Sequence, residues 1–161
     1  MSPKDIDKIP TADILEDLFD NGFASVEIEV YPKLFVTMRN ILPDDYLLLD
    51  SKVKASKVDE LSNLAVAQLI ALWKLSTCII KIRKGGNEPL KLTGPDDVHE
   101  WLRKQPSSLI DFMLKLQAKF EERTKSCITE DDIQENFSEA AGSPTGPEQS
   151  QKASMSDETE A

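Results

Sequence analysis

The residue best suited to acid–base chemistry is His99, the only histidine of the chain, which lies beside Glu100 and three residues after Asp96. A histidine next to a carboxylate can act as a general base with its orienting partner. Covalent catalysis also needs a nucleophile held near that base, and no recognised motif places a serine or cysteine there. We therefore interpret His99 as a surface histidine.

Other reactive residue types lack the surrounding pattern that their chemistry needs. Residues 84–86 (KGG) form a lone glycine turn, and GxxxxGK[ST], GxGxxG, HExxH and GxSxG do not occur. The aspartate pairs at 44–45 and 96–97 could hold a cation, but each follows a proline, where the start of a helix already favours carboxylates. We predict a non-enzymatic protein with no metal site and no cofactor.

The two cysteines, Cys78 and Cys127, are distant in sequence and have neither CxxC nor metal-ligand spacing. Free thiols in a reducing compartment are the expectation. The N-terminal residues 1–10 contain no apolar segment of the kind that directs export. The sequence therefore predicts a cytosolic location.

The element around which the chain is organised is the apolar stretch of residues 58–83. Its first two thirds have apolar residues at the three-and-four spacing of a helix, which predicts a core helix with a wide apolar face. The residues of this face are Leu61, Leu64, Ala65, Leu69, Leu72 and Trp73. From residue 77 β-branched residues alternate up to the glycine turn, so the helix should lead directly into a strand. The stretch is too short and too polar to cross a bilayer, and we predict no membrane association.

Four short segments have the composition of strands. Residues 24–30 and 34–39 alternate around a turn that contains Pro32, which predicts a hairpin. Residues 78–83 and 89–93 flank the glycine turn and predict a second hairpin. With helices between and after them, the fold class is α+β, a mostly helical small domain with two β-hairpins.

The first and the last predicted helices each present an apolar face. The first face either docks on the body of the domain or awaits a partner, and we favour docking. It comprises Ile14, Leu15, Leu18 and Phe19. The last helix has apolar residues spaced four, three and four, typical of a core seam but also of a partner-binding groove. These candidate partner-binding residues are Leu109, Met113, Leu116 and Phe120.

The negative charge of the chain is concentrated near its C-terminus. Residues 1–128 hold 20 acidic and 18 basic side chains, whereas residues 129–161 hold 9 acidic and 1 basic. We predict a flexible arm over residues 1–10, a globular domain over 11–138 and a disordered acidic tail over 139–161. Ile133 and Phe137, four apart in an acidic run, could anchor a partner or end a packed helix. A nearly neutral body without a basic stripe argues against nucleic acid as a partner.

The order of these elements resembles a known family over about residues 24–138. The resemblance lies in residues 35–45 (FVTMRNILPDD), in the helix that ends at residues 78–82 (CIIKI), in the two closing helices over 98–120, and in residues 136–138 (NFS) before a polar tail. In this pattern the chain is similar to the small tail assembly chaperones of long-tailed bacteriophages.

The resemblance implies a protein that binds and solubilises the tape-measure protein and helps to recruit tail-tube subunits. Such chaperones act in the host cytoplasm and leave before the virion is complete. Self-association is left open. The alternatives are a structural or assembly component of the phage tail or baseplate, and a cellular protein-binding adaptor. Baseplate-hub assembly proteins share much of the pattern, but some have paired cysteines near the end, where this chain has Cys127 alone.

Overall fold

Alternating apolar and polar residues build the sheet. In the computed structural model, which describes residues 1–128, the strands are β1 (Ser25–Tyr31), β2 (Leu34–Arg39) and β3 (Ile79–Lys84), in the order β1-β2-β3 with both pairs antiparallel. Every second residue of β1 and β2 is buried, as expected when one face of a sheet covers a core. The result is a mostly helical α+β domain with a three-stranded antiparallel sheet.

The hairpin of β1 and β2 is confirmed. Ile28 pairs with Val36, and Tyr31 pairs with Leu34 across the turn. In that turn Lys33 has a φ of 63°, a left-handed conformation that follows a proline in a tight turn of type II. The predicted proline turn therefore sets the register of the first two strands.

The second predicted hairpin is wrong. Residues 89–93 form no strand, and β3 pairs with β2 instead, with Val36 opposite Ile82. The segment keeps a single backbone hydrogen bond to β3, from the Leu90 N–H to the Ile82 carbonyl at 2.8 Å. Pro89 has no N–H to donate, so the predicted strand would lack one backbone hydrogen bond at its first residue.

The domain has five α-helices, and their bounds follow local signals. They are α1 (Thr11–Asn21), α2 (Pro43–Ala55), α3 (Asn63–Cys78), α4 (Pro95–Leu102) and α5 (Ser107–Cys127), with short 3-10 helices at Pro3–Lys8 and Val58–Glu60. Gly22, with a φ of 76°, ends α1, and the Ser62 hydroxyl caps α3 by accepting the Ala65 N–H at 3.3 Å. The predicted direct passage from helix to strand is confirmed at Cys78 and Ile79. Within residues 1–128, no helix combines the length and apolarity of a membrane span.

One hydrophobic cluster unites the inner face of the sheet with α5, α4 and the end of α3. Its fully buried members are Ile6, Ile28, Val36, Met38, Leu75, Ile82, Leu102, Met113 and Phe120. The predicted docking of α1 is confirmed, because Ile14 is 2% exposed and Leu15 and Leu18 pack against the cluster. Phe19 does not join them and is 78% exposed.

The arm predicted over residues 1–10 is instead part of the domain. Ile6 is completely buried, and Ile9 is 9% exposed. The Met1 carbonyl accepts a hydrogen bond from the Glu29 N–H of β1, at 3.0 Å. Two isoleucines three residues apart can both reach one core from a 3-10 turn. The free energy gained by burying them favours an ordered segment, although the two prolines suggest a loose arm. The predicted end of the domain at 138 and the tail over 139–161 lie outside the described residues.

Candidate functional site

The apolar seam of α5, predicted as a partner-binding surface, is mostly interior. Met113 and Phe120 are 0% exposed, and Leu116 is 5% exposed. All three belong to the core cluster, so a partner could reach them only if the domain opened. This corrects the prediction for these residues. Leu109 is half-buried and lines a surface cleft between the β1–β2 turn and the start of α5.

The two remaining predicted partner residues belong to another part of the chain. Ile133 and Phe137 lie outside the described residues 1–128. Their binding role stays a prediction from sequence.

His99 is part of a stack that joins three helices. Its ring lies on the Trp73 ring with centroids 3.9 Å apart and planes 12° from parallel. On α2, Lys52 holds its ammonium 4.7 Å from the centroid of Trp73 and 2.6 Å from the Asp96 carboxylate. The histidine is therefore half-buried in a packed contact, which corrects its interpretation as a surface residue.

The environment of His99 favours a neutral ring. Burial lowers the pKa of His99, and the nearby positive charge of Arg103 lowers it further. Its Nε2 atom is buried without a hydrogen-bond partner among residues 1–128. A neutral imidazole could accept a proton, but the stack on Trp73 occupies one ring face and accounts for its placement. We assign His99 a structural role.

One aspartate of each pair bonds to the chain just before a helix. Asp97 accepts hydrogen bonds from the Thr93 N–H and hydroxyl at 2.8 and 2.7 Å, and these hold the pKa of the Asp97 carboxyl below its usual value. Asp45 accepts the Leu42 N–H at 2.7 Å at the start of α2. Across residues 1–128, no group of three or more histidines, cysteines and carboxylates is placed to hold a metal ion.

Both cysteines are free and buried. Burial raises the pKa of Cys78 to about 11. The Gln117 amide lies 3.6 Å from its sulfur, so the thiol sits under α5. A thiol with a high pKa and no exposure is a poor nucleophile, which gives Cys78 a packing role.

The first half of α3 presents apolar residues to solvent. Leu64 is 71% exposed and Ile70 39%, and Ala67 and Gln68 between them are exposed as well. We call these four residues the exposed α3 face. Leu47 of α2, a helix that contacts α3, is also 72% exposed. Only the last turn and a half of α3 belongs to the interior, so the prediction of a core helix holds for its C-terminal part alone.

A cleft of about 780 Å³ opens at the end of the sheet where the β1–β2 turn meets the start of α5. Its floor includes Leu34, Leu109 and Phe112, and its rim includes Lys33 and Lys84. The remaining lining comes from the two turns and the α4–α5 corner. The cleft brings together residues from three distant parts of the sequence.

The exposed α3 face could be predicted in part from the sequence, but the cleft could not. Residues 63–73 contain no charged side chain, so apolar residues surround the helix rather than forming one stripe. Likewise, three consecutive leucines at 47–49 cannot all face the same side of α2. The cleft depends on the β2–β3 pairing, which the sequence did not predict.

Comparison of the chain with protein-family models, with curated proteins and with solved structures finds no match. The family resemblance consequently stays a hypothesis.

Proposed function

We propose that this protein is a non-enzymatic chaperone of the phage tail-assembly type, which holds an apolar helical segment of its client against the exposed α3 face. The observation that carries the proposal is that α3 has no charge between Asn63 and Trp73 and yet leaves Leu64 71% exposed. Apolar surface of this kind on a soluble domain marks a site of interaction.

The spacing of the residues on this face suits contact with a second helix. Ala67 lies one turn after Leu64, so a small residue leaves space between two larger apolar ones. A client helix could place its apolar residues there, in the manner of an amphipathic helix in a groove. Burying a leucine side chain contributes about 1.5–3 kcal/mol, so a few such contacts support micromolar binding after the entropic cost of association.

The family resemblance supplies the client. A tape-measure protein is long and helical, and its apolar stripe needs cover before tail-tube subunits assemble around it. The proposal therefore locates the contact on α3 rather than on the buried seam of α5. The protein would act in the host cytoplasm and be absent from the mature virion.

The test is coexpression with the tape-measure protein encoded in the same genome. We expect a higher soluble yield of the client and its recovery with the tagged chaperone. Leu64→Glu should abolish both effects, because a carboxylate cannot be buried against an apolar helix without a partner. Phe19→Glu is the matched control, because Phe19 is 78% exposed on a different helix.

Two results would reject the proposal. The first is an unchanged client yield with no recovery of a complex. The second is that Leu64→Glu and Phe19→Glu behave alike. Mass spectrometry of purified particles separates the chaperone from a structural tail or baseplate component, since only the component remains in the particle. If the neighbouring genes encode no tail proteins, a cellular adaptor becomes the better assignment.

A further inference from the structure

The cleft at the end of the sheet suggests a second binding site. We propose that it binds an acidic peptide segment of a partner protein, with one large apolar side chain on the floor and carboxylates beside Lys33 and Lys84. This inference goes beyond the proposed chaperone function and does not depend on it, because the cleft and the exposed α3 face share no residue.

The floor of the cleft is apolar and partly open. Leu109 and Phe112 are half-buried and pack against the core, and Leu34 is 9% exposed. Tyr31 stands at the rim with 66% of its surface exposed. A side chain that enters between them would remove apolar surface from water on both partners, which is the main source of affinity in such sites.

The charge of the lining is opposite to that of the chain. Two lysines line the cleft, and none of its described lining residues is acidic, although the whole chain has a formal net charge of −10. The nearest carboxylate in the turn, that of Glu29, accepts the Lys33 backbone N–H at 2.9 Å. Within residues 1–128 neither lysine forms an ion pair, so charge complementarity favours an acidic ligand.

The backbone of the rim is held in place before any ligand arrives. The Lys33 carbonyl accepts a hydrogen bond from the Gly85 N–H, which joins the β1–β2 turn to the end of β3. Arg83 donates to the Gly85 carbonyl and lies 4.2 Å from the Phe35 ring centroid, so the second turn is fixed as well. A rim that is already ordered reduces the entropic cost of binding.

The open form of the cleft favours a peptide over a lipid-like acid. An acyl chain gains most from an enclosed channel, whereas here an exposed tyrosine and two exposed lysines border a groove open to solvent. A peptide needs only one deep contact and several shallow ones, the arrangement that the floor and rim provide.

The test uses three synthetic peptides with the full-length protein, followed by fluorescence anisotropy. The probe is EDDLEEFE, the second peptide is EDDSEESE, which lacks the apolar side chains, and the third is KKKLKKFK, which reverses the charge. We expect saturable binding of EDDLEEFE that weakens as salt rises, and at least tenfold weaker binding of the other two.

Variants locate the site. The double variant Lys33→Glu with Lys84→Glu should weaken the binding of EDDLEEFE about tenfold, because two attractive charge contacts become repulsive. The control is Lys54→Glu with Lys125→Glu, which makes the same change of charge at exposed lysines outside the cleft. Leu64→Glu should leave this binding unchanged while abolishing client recovery, so the failures of the two proposals are distinguishable.

Several results would overturn the inference. One is equal binding of EDDLEEFE and EDDSEESE, which would mean that the floor takes no part. Another is an equal effect of the two double variants, which would reflect net charge alone. A third is no saturation of EDDLEEFE up to 1 mM peptide, about the weakest affinity at which a specific site is useful.

Discussion

The guanidinium of Arg39 donates two hydrogen bonds to the carboxylate of Asp45, from Nη1 to Oδ2 and from Nη2 to Oδ1, both at 2.7 Å. Arg39 is the last residue of β2, and Asp45 lies in the first turn of α2. Their side chains are 14% and 12% exposed. Because Asp45 also accepts the Leu42 N–H, one carboxylate fixes the point at which the chain leaves the sheet and begins a helix.

Removing the carboxylate of this pair should destabilise the domain. Asp45→Ala leaves the partly buried charge of Arg39 without its partner. We expect the free energy of unfolding, measured by urea titration, to fall by about 3 kcal/mol. The control is Asp50→Ala, which breaks a 2.6 Å pair with Lys54 whose side chains are 61% and 74% exposed. Exposed helix pairs contribute about 0.3–0.5 kcal/mol. Equal losses in the two variants would mean that burial of the Arg39 pair adds nothing.

The parts of the fold that were predictable depend on local sequence. The β1–β2 hairpin follows from alternation on both sides of Pro32, and the passage from α3 into β3 follows from a change of residue type near Cys78. The partner of β3 depends on contacts between residues more than 40 positions apart, such as Val36 with Ile82. Local alternation also suited residues 89–93, but β2 offers three buried apolar residues and a full set of backbone partners, whereas Pro89 lacks an N–H.

The candidate site was harder to predict because periodicity shows that a face is apolar but does not show what covers it. The seam of α5 and the stripe of α3 have the same spacing, yet Phe120 is buried and Leu64 is exposed. The difference arises because α5 packs against the core cluster along its length, whereas α3 does so only in its last turns. Lys33 and Lys84 become neighbours only through the tertiary structure.

A direct measurement of the His99 titration checks the assigned stack. Burial, followed by the Arg103 charge, lowers the pKa of His99, whereas the Asp96 and Glu100 carboxylates oppose that shift and Lys52 adds to it. We expect the single histidine signal in a ¹H–¹⁵N NMR titration to have a midpoint below about 6.5, the ordinary histidine value. A midpoint at or above that value would contradict the buried stack on Trp73.

The same shift predicts how stability depends on pH. Above about pH 6.5 the imidazole is neutral in both the folded and the unfolded protein, so the full stability is present. Below that value the unfolded chain takes up a proton before the folded one, and stability falls until the folded pKa is passed. Urea unfolding between pH 7.5 and 5.5 should show this loss in the native protein. His99→Phe, which keeps a ring against Trp73, should lose less over the same range.

Truncating a side chain in the buried seam of α5 should lower the free energy of unfolding as a core substitution does. Phe120→Ala removes a fully buried aromatic ring, and we expect a loss of about 3–5 kcal/mol in unfolding free energy. Leu109→Ala, at a half-buried position on the floor of the cleft, should cost clearly less. Thermal unfolding followed by circular dichroism compares the two. Native stability of the Phe120→Ala protein would mean that α5 is not packed in the core and is accessible to a partner.

The two cysteines provide a test of how tightly the body of the domain is closed. Cys78 is 0% exposed and Cys127 is 1% exposed, and the pKa of Cys78 is raised to about 11 by burial. A thiol reagent attacks the thiolate, so at pH 8 both low access and protonation protect Cys78. We expect slow reaction of both thiols with Ellman's reagent in buffer and rapid reaction in urea. Rapid labelling of Cys78 in the native protein would mean that α5 separates readily from α3, and the buried seam of α5 would then become accessible to a client.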